Sequence, residues 1–212
     1  MSEATTGEMP CTPLFKQEDA RRGLLIVLSG PSGSGKGTVL AELFAMRCGL
    51  HLSVSATTRE PRNGEQDGKQ YYFLTREKFE AMIEAGEMLE HACYCGNYYG
   101  TPKAAVEQKL NAGIDVILEI EVQGAEQIKK TRPDCVTVFI APPSPEELER
   151  RLRGRGTESD EVINKRLETA HRELACAGQY EYIVVNDSVK AAAQRLDGII
   201  TAEKCRASRV LD

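Results

Sequence analysis

A glycine-rich segment near residue 30 constrains this chain more than any other feature of its sequence. The residues Gly30-Pro-Ser-Gly-Ser-Gly-Lys36 fit the pattern G-x-x-x-x-G-K. The apolar run at 24–28 is typical of a buried parallel strand, and residues 36–46 have helical periodicity. A strand, such a loop and a helix in this order predict a phosphate-binding loop, because backbone N–H groups and the positive end of the helix dipole then face the same anion.

Nine consecutive residues of this loop are expected to hold the phosphates of ATP. They are Gly30, Pro31, Ser32, Gly33, Ser34, Gly35, Lys36, Gly37 and Thr38. Lys36 would supply a positive charge to the β- and γ-phosphates. Without its flanking strand and helix, the same string would be an ordinary Gly/Ser-rich turn.

The residue after Lys36 departs from the usual loop. Gly37 stands where Ser or Thr commonly holds Mg²⁺, and Thr38 comes one residue later. Mg²⁺ is still the predicted cofactor, because phosphoryl transfer from ATP needs its charge neutralised. We predict no dedicated protein site for the metal, which the nucleotide and water would mainly hold, with Thr38 as one candidate for a nearby side chain.

Strands and helices alternate along most of the remaining chain, which predicts a parallel α/β sheet. Further strands are predicted at 51–56, 71–74, 114–120, 136–141 and 182–185, and a hairpin joins 88–94 to 97–100 around Cys95-Gly96. Three helix starts are predicted from local signals: Thr75 as a cap, Thr101-Pro102 as a cap with proline at the first helical position, and the capping box Ser144-Pro145-Glu146-Glu147. The first two helices should end near Gly86 and at Gly113.

Composition limits the classes of protein to which the chain can belong. A 212-residue chain with 41% hydrophobic residues is expected to form one domain, preceded by a mobile tail at 1–22. The net charge of −5 argues against a nucleic-acid-binding protein, and no apolar run approaches the ~20 residues of a membrane span. The seven cysteines form no metal-ligand pattern, so reduced thiols and a cytoplasmic location are expected. No oligomeric state is predicted.

Beyond the loop, several strings occur in an order and spacing that closely resemble guanylate kinases, from about residue 24 to 187. They are Ser55-Ala-Thr-Thr-Arg59-Glu-Pro-Arg62-Asn-Gly-Glu65, Tyr71-Tyr-Phe73, Glu90, Gly96-Asn-Tyr-Tyr99-Gly-Thr101, Leu118-Glu-Ile-Glu121-Val-Gln-Gly124, Ala141-Pro-Pro-Ser144, Gly154-Arg155-Gly-Thr157 and Asn164-Lys-Arg166. The resemblance implies the reaction ATP + GMP to ADP + GDP, with ATP and GMP, and dGMP as well, as partners.

The resemblance also implies an α/β fold with three layers around a central parallel sheet and two additions. The core would comprise 23–54, 104–142 and 176–212. A small mixed or antiparallel GMP-binding region would comprise 55–103, and a helical lid 143–175. These additions coincide with the two stretches that break the alternation of strands and helices.

The resemblance assigns the acceptor nucleotide to eight residues. They are Ser55, Arg59, Arg62, Tyr71, Glu90, Tyr99, Thr101 and Glu119. Arginine pairs with phosphate by directed, charge-assisted hydrogen bonds, and tyrosine hydroxyls add donors. Guanine presents two donors on its pairing edge, which suits carboxylates such as Glu90 and Glu119, whereas adenine has an acceptor at N1.

Catalysis is assigned to positive charge alone, with no nucleophile and no obligatory general base. The predicted catalytic residues are Lys36, Arg59, Arg155 and Arg166, and Arg151 is a weaker lid candidate. Glu121 matches the family's second acidic position and is the other candidate for a side chain near the metal. Asn186 and Asp187 match the family's adenine-side loop.

Two alternative functions remain open from the sequence. A kinase for another nucleoside monophosphate would keep the phosphate loop but lack the paired guanine carboxylates. A guanylate-kinase-like interaction module would bind phosphorylated proteins, but such modules tend to lose the loop that this chain retains.

Overall fold

The computed structural model describes residues 21–94, 96–154 and 160–211. Most of the predicted tail, the turn residue Cys95 and the predicted catalytic residue Arg155 lie outside these ranges. The strands are β1 (Leu25–Ser29), β2 (Leu50–Leu52), β3 (Ser55–Thr57), β4 (Tyr71–Phe73), β5 (Met88–Tyr94), β6 (Asn97–Pro102), β7 (Asp115–Glu119), β8 (Val136–Ala141) and β9 (Tyr182–Val185). The helices are α1 (Lys36–Met46), α2 (Arg76–Glu84), α3 (Lys103–Asn111), α4 (Val122–Thr131), α5 (Pro145–Arg153), α6 (Asp160–Ala175), α7 (Val189–Lys204) and α8 (Ala207–Val210).

A five-stranded parallel sheet forms the centre, in the order β2-β7-β1-β8-β9. Every residue of β1 is buried, as its continuous apolar sequence predicts for a central parallel strand. Helices α1 and α7 cover one face, with Leu43 and Leu196 in that core, while α3 and α4 cover the other with Leu110 and Ile128. The predicted three-layer α/β fold is therefore confirmed.

The carboxyl ends of the parallel strands bring distant parts of the chain to one edge. Leu28 near the end of β1 pairs with Glu119 at the end of β7, and Ala141 pairs with Val185 at the ends of β8 and β9. The phosphate loop follows β1 at this edge. Such an edge is where open α/β sheets commonly bind ligands.

A second sheet has the order β4-β3-β6-β5 and is mixed. Strands β3 and β4 are parallel, whereas β6 is antiparallel to both β3 and β5. Helix α2 packs on it through Phe79, whose ring stacks on Tyr98 with centroids 5.3 Å apart. Contacts between α4 and β5 join this sheet to the core.

The strand predicted at 51–56 is wrong as one element. Residues 50–52 form β2 of the central sheet, and residues 55–57 form β3 of the mixed sheet. The backbone N–H of Ser53 still donates to Ile117 in the central sheet, so the chain leaves it only after this residue. The break delivers Ser55 to the space between the two sheets.

The helix start predicted at Thr101-Pro102 is also wrong by one position. Thr101 pairs with Glu90 inside the mixed sheet, so β6 extends to Pro102. Pro102 is then the N-cap, with an extended backbone, and the helix begins at Lys103. The cross-strand pair outweighs the local preference for proline inside the first helical turn.

The predicted cap at Ser144 is confirmed, with Pro145 at the first helical position of α5. Ser144 accepts a hydrogen bond from the backbone N–H of Glu147, but the Glu147 carboxylate pairs with Arg150 and Arg151 rather than completing the box. Helices α5 and α6 share a small apolar core that includes Leu152. Within the three ranges described, no helix is long and apolar enough to span a membrane.

Candidate active site

The phosphate loop connects β1 to α1 through three glycines with positive φ angles. Gly30, Gly33 and Gly35 have φ values of 149°, 90° and 85°. A Cβ at Gly30 would lie 2.2 Å from the carbonyl oxygen of Ile140, and one at Gly35 would lie 2.4 Å from Nδ2 of Asn186. Both the backbone conformation and the close packing therefore require glycine.

Lys36 folds back over the loop. Its ammonium donates to the carbonyl oxygens of Gly30 and Pro31, at 2.6 and 3.3 Å. Burial lowers the pKa of Lys36, while the carboxylates of Glu119, Glu173 and Glu121 oppose that shift in this order. The three carboxylates thus favour the charged form of Lys36, which is the form that can bind a phosphate.

The same loop accepts hydrogen bonds from side chains that lie far away in sequence, after β9 and on α5 and α6. Asn186 is 2% exposed, and its Nδ2 donates to the carbonyl oxygen of Ser34 at 2.8 Å. Arg151 donates to Glu147 at 2.8 Å, to the carbonyl oxygen of Asn186 at 3.0 Å and to that of Ser34 at 3.3 Å. Arg166 donates to the hydroxyl of Ser32. Two arginines of the predicted lid thus contact the loop directly.

The oxygen donors near the loop suit a hydrated magnesium ion. Thr38 is exposed, and its hydroxyl donates to the carbonyl oxygen of Gly35 at 2.7 Å. A Cβ at Gly37 would meet no atom within 4 Å. In the described part of the chain, no three His, Cys, Asp or Glu side chains gather as a preformed metal site. Hydroxyl and carboxylate oxygens beside nucleotide phosphates nevertheless fit the preference of Mg²⁺, which usually keeps several waters.

Glu90 is a buried carboxylate between the mixed sheet and α4. It is 6% exposed, and its Oε1 accepts a hydrogen bond from the Thr101 hydroxyl at 2.7 Å. The register of β5 shifts between Met88 and Glu90, an irregularity that re-aims the side chain. Burial raises the pKa of Glu90, the Thr101 hydrogen bond opposes this, and Glu121 adds to it.

Gly124 makes room for that carboxylate at the start of α4. A Cβ there would lie 2.6 Å from Oε2 of Glu90. One oxygen of Glu90 is therefore held by Thr101, and the other lies against bare backbone.

Arg59 is held in place by a neighbouring acid. Its Nη2 donates to both carboxylate oxygens of Glu65 at 3.0 Å, and its guanidinium lies 5.5 Å from the centroid of the Tyr71 ring. The backbone N–H of Arg62 also donates to Glu65, at 2.7 Å. The Arg62 amide, followed by the Arg59 guanidinium, holds the pKa of Glu65 below its usual value. This arrangement presents one arginine beside an aromatic wall.

One cleft of about 580 Å³ joins the loop to the mixed sheet. Nine of the residues selected from the sequence line it: Gly30, Ser32, Lys36, Ser55, Tyr71, Glu90, Tyr99, Glu119 and Glu121. Three predicted acceptor residues, Arg59, Arg62 and Thr101, do not line it. Arg59 stands behind Tyr71, Thr101 lies behind Glu90 and is fully buried, and Arg62 is exposed.

The sequence reasoning missed several residues of this cleft, above all Glu173 on α6. Glu173 lines the cleft and approaches Lys36. The available signal was its spacing from Arg166, because residues seven apart lie on the same side of a helix. The role of Gly124 was likewise not predicted, although the residue stands in one of the strings quoted above.

Known proteins are similar to this chain in sequence. A sequence model of the family described as guanylate kinase matches residues 22–203. A guanylate kinase of Desulfitobacterium hafniense is 56% identical over 191 residues, covering 90% of this chain and 96% of that protein. One of Lactococcus lactis is 58% identical over 191 residues, covering 90% of this chain and 93% of that protein.

A solved structure is similar as well. The crystal structure of guanylate kinase from Anaplasma phagocytophilum superposes with a TM-score of 0.74 at 34% identity, covering 92% of this chain and 93% of that one. Sequence similarity and fold similarity both extend over nearly the whole chain and include the loop and the cleft. The chain belongs to the guanylate kinase family.

Proposed function

We propose that this chain performs the guanylate kinase reaction inside the cleft, with ATP on the phosphate loop and GMP against the mixed sheet. Transfer of a phosphoryl group from ATP to GMP follows from membership of the family. The division of labour among the residues is our proposal. The observation that carries it is one cleft lined both by Lys36 of the phosphate loop and by the buried carboxylate of Glu90.

On the donor side, Lys36 and the backbone of residues 30–38 bind the ATP phosphates. The present bonds of Lys36 to two loop carbonyls support this role, because they keep the ammonium at the loop until a phosphate replaces them. Arg166 and Arg151, and Arg155 as well, stabilise charge on the transferring group. We propose Mg²⁺ as the metal that neutralises the phosphates, with Thr38 and Glu121 near it.

On the acceptor side, Glu90 and Glu119 accept hydrogen bonds from guanine. Glu90 lines the cleft with one oxygen beside Gly124, which supports an acceptor role toward the guanine donors. Thr101 orients Glu90 from behind, and Ser55 adds a hydroxyl at the cleft wall. Together these four residues recognise the guanine base.

The GMP phosphate is assigned to Arg59, Arg62, Tyr71 and Tyr99. The rings of the two tyrosines meet edge to face at 6.0 Å, and the Arg59 guanidinium lies beside one of them. We extend the proposal to dGMP, because none of these roles involves the ribose 2′ position. Arg62 would have to turn inward when the nucleotide binds, since it is exposed here.

Transfer needs positioning and charge stabilisation rather than covalent catalysis by the protein. A GMP phosphate oxygen attacks the γ-phosphorus in line, and the leaving group is ADP. We propose that the regions 55–103 and 143–175 close over the core formed by 23–54, 104–142 and 176–212, which excludes water from the transfer. We also place the reaction in the cytoplasm, where thiols remain reduced.

The test is release of ADP from ATP with each of the four common nucleoside monophosphates and dGMP, in a coupled assay. We expect turnover with GMP and dGMP, and little with AMP, CMP or UMP. Lys36→Ala should remove most of the turnover without unfolding the protein. Preference for AMP would contradict the proposed acceptor site and favour a kinase for another nucleoside monophosphate.

A further inference from the structure

One glutamine of α4 joins the core to the mixed sheet through the backbone of β5. Among the described residues, β5 is an edge strand of that sheet, so only one side of its backbone pairs with another strand. On α4, the side chain of Gln127 accepts a hydrogen bond from the backbone N–H of His91 at 3.2 Å and donates one to the carbonyl oxygen of His91 at 2.9 Å. A side-chain amide can do both, as the backbone of a neighbouring strand would, whereas a carboxylate can only accept.

Three consecutive residues of β5 face α4, and His91 is the last of them. Leu89 is buried in the apolar cluster that also contains residues of α4. Glu90 lies against Gly124, and His91 is bonded to Gln127. Gly124 and Gln127 are three residues apart and therefore lie on the same face of the helix. The proposed guanine carboxylate is thus flanked by an apolar contact and a hydrogen-bonded contact to one element.

The pairing of β5 with β6 leaves the position of Glu90 partly undetermined. The register shifts between Met88 and Glu90, and such an irregularity disrupts the ladder locally and bends the strand. The fit on the other side is tight, because a Cβ at Gly124 would lie 2.6 Å from Oε2 of Glu90. A small displacement of β5 along or away from α4 would therefore move the carboxylate, and the two bonds of Gln127 oppose that displacement at the adjacent residue.

Helix α4 is also connected to the second proposed guanine carboxylate. Strand β7 ends at Glu119 in the central sheet, and α4 begins at Val122. Glu90 belongs to the mixed sheet, so the spacing of the two carboxylates depends on how α4 meets β5. The donors of guanine have a fixed spacing on a rigid ring, and the acceptors that bind them must keep a matching one.

We propose that Gln127 is a positioning residue for guanine recognition, which holds β5 against α4 so that Glu90 keeps its place relative to Glu119. Among the described residues, those that line the cleft do not include Gln127, so it acts through Glu90 and not on the nucleotide. The inference rests on the proposed role of Glu90 toward guanine. It adds to that role a specificity determinant outside the cleft.

The first test is steady-state kinetics of Gln127→Met, which keeps the length of the side chain but removes the donor and leaves only a weak acceptor. We expect the KM for GMP to rise about tenfold, because Glu90 loses its fixed position, while kcat and the KM for ATP stay within about twofold. The value of kcat/KM for AMP should also stay within about twofold, since adenine does not use the carboxylate.

Gln108→Met is the matched control, because Gln108 is exposed on α3 and undergoes the same chemical change. It should leave every one of these values within about twofold of the unmodified chain. Thermal unfolding checks that each variant is folded at the assay temperature. If Gln127→Met is not, Gln127→Asn replaces it, since its amide is one methylene shorter and cannot reach both groups of His91.

A double-mutant cycle with Glu90→Gln separates positioning from a merely structural role. If Gln127 acts through Glu90, adding Gln127→Met to Glu90→Gln should lower kcat/KM for GMP by no more than about twofold. A residue that only stabilises the fold would lower the unfolding temperature and reduce kcat/KM by the same factor in both backgrounds. That result overturns the proposal, and so does a KM for GMP in Gln127→Met within twofold of the unmodified chain.

Failure of this inference is distinguishable from failure of the proposed function. If Glu90→Gln alone leaves kcat/KM for GMP unchanged, the assignment of guanine to Glu90 is wrong, and both proposals fail. If Glu90→Gln loses activity with GMP while Gln127→Met does not, only the positioning by Gln127 is refuted.

Discussion

Among single residues, Glu90 has the environment that most sharply defines a role. It is buried, one oxygen accepts from Thr101, and the other lies beside Gly124. A buried acceptor with an open lone pair is costly unless a ligand donor satisfies it. The two donors of guanine would do so, whereas adenine offers an acceptor at the corresponding N1 position.

Glu90→Gln should therefore weaken the reaction with GMP selectively. We expect kcat/KM for GMP to fall about 10- to 100-fold, the value of a hydrogen bond to a charged group, while the slow reaction with AMP changes much less. The measurement is kcat/KM with each acceptor at saturating ATP. Glu87→Gln, an exposed change just before β5, should leave both values intact. An equal loss with GMP and AMP would count against guanine readout.

The same carboxylate makes a prediction about pH. Burial raises the pKa of Glu90, so it takes up a proton at a higher pH than an ordinary glutamate. Only the ionised form accepts both guanine donors, so GMP affinity should decline as pH falls through that raised pKa. The Kd for GMP should rise on the acid side in the unmodified chain.

Glu90→Gln supplies the control for this pH dependence. The GMP phosphate itself titrates at a pH of about 6, and the variant retains that contribution. The additional rise in Kd for GMP should be absent from Glu90→Gln. The same acid limb in both proteins would show that the phosphate, and not Glu90, causes it.

At this scale, the sequence predicts contiguous features better than distant ones. The loop residues were predictable because one string and its flanking elements define them. Glu90 and Thr101 were predictable only through the resemblance, since nothing local indicates that their side chains meet across two strands. Glu173 was missed because its place in the cleft depends on how α6 packs against a loop far away in sequence.

Between elements, the packing of α4 against β5 bears on the proposed acceptor side. Gly124 is a glycine inside a helix, where alanine would ordinarily be more stable. A Cβ at Gly124 would lie 2.6 Å from Oε2 of Glu90, so its absence leaves space for the carboxylate. The helix therefore contains a residue that stabilises it less than alanine would, and this lets the carboxylate lie against the backbone.

Gly124→Ala should raise the KM for GMP several-fold and leave the KM for ATP unchanged, because the added methyl pushes Glu90 out of register with Thr101. Gly198→Ala is the matched helical change, since a Cβ at Gly198 in α7 meets no atom within 4 Å. It should stabilise the fold by about 0.5–1 kcal/mol with no effect on either KM. Steady-state kinetics and thermal unfolding of both variants provide the measurement. An unchanged KM for GMP in Gly124→Ala would refute the role given to this helix.

The boundaries of most helices and strands were predictable from the sequence, and two were not. Apolar runs such as 136–141 identify strands from their own composition. The run 51–56 has no internal signal that its two halves belong to different sheets, so the break at Ser53 could not be predicted. Thr101-Pro102 matches the local pattern of a helix start, but the pairing of Thr101 with Glu90 keeps both residues in strand β6.

In the whole molecule, the residues proposed to bind the donor lie at one edge of the central sheet, and most of those proposed to bind the acceptor lie on the inserted mixed sheet. The order β2-β7-β1-β8-β9 places the loop after β1 next to Glu119 of β7. A central parallel sheet was predictable from the alternation of strands and helices, whereas this strand order was not predicted. The way the mixed sheet joins the core was not predictable either, because it depends on contacts of α4 with β5.

We propose that the cleft holds two nucleotides on separable sets of residues. This separation can be measured by calorimetric titration of ATP and of GMP into Lys36→Ala and Glu90→Gln. We predict a crossed result: Lys36→Ala loses ATP affinity by about tenfold or more and keeps GMP affinity, while Glu90→Gln does the reverse. If both variants lose the same nucleotide, or if Lys36→Ala keeps its ATP affinity, the assignment of donor and acceptor to the two sides of the cleft is wrong.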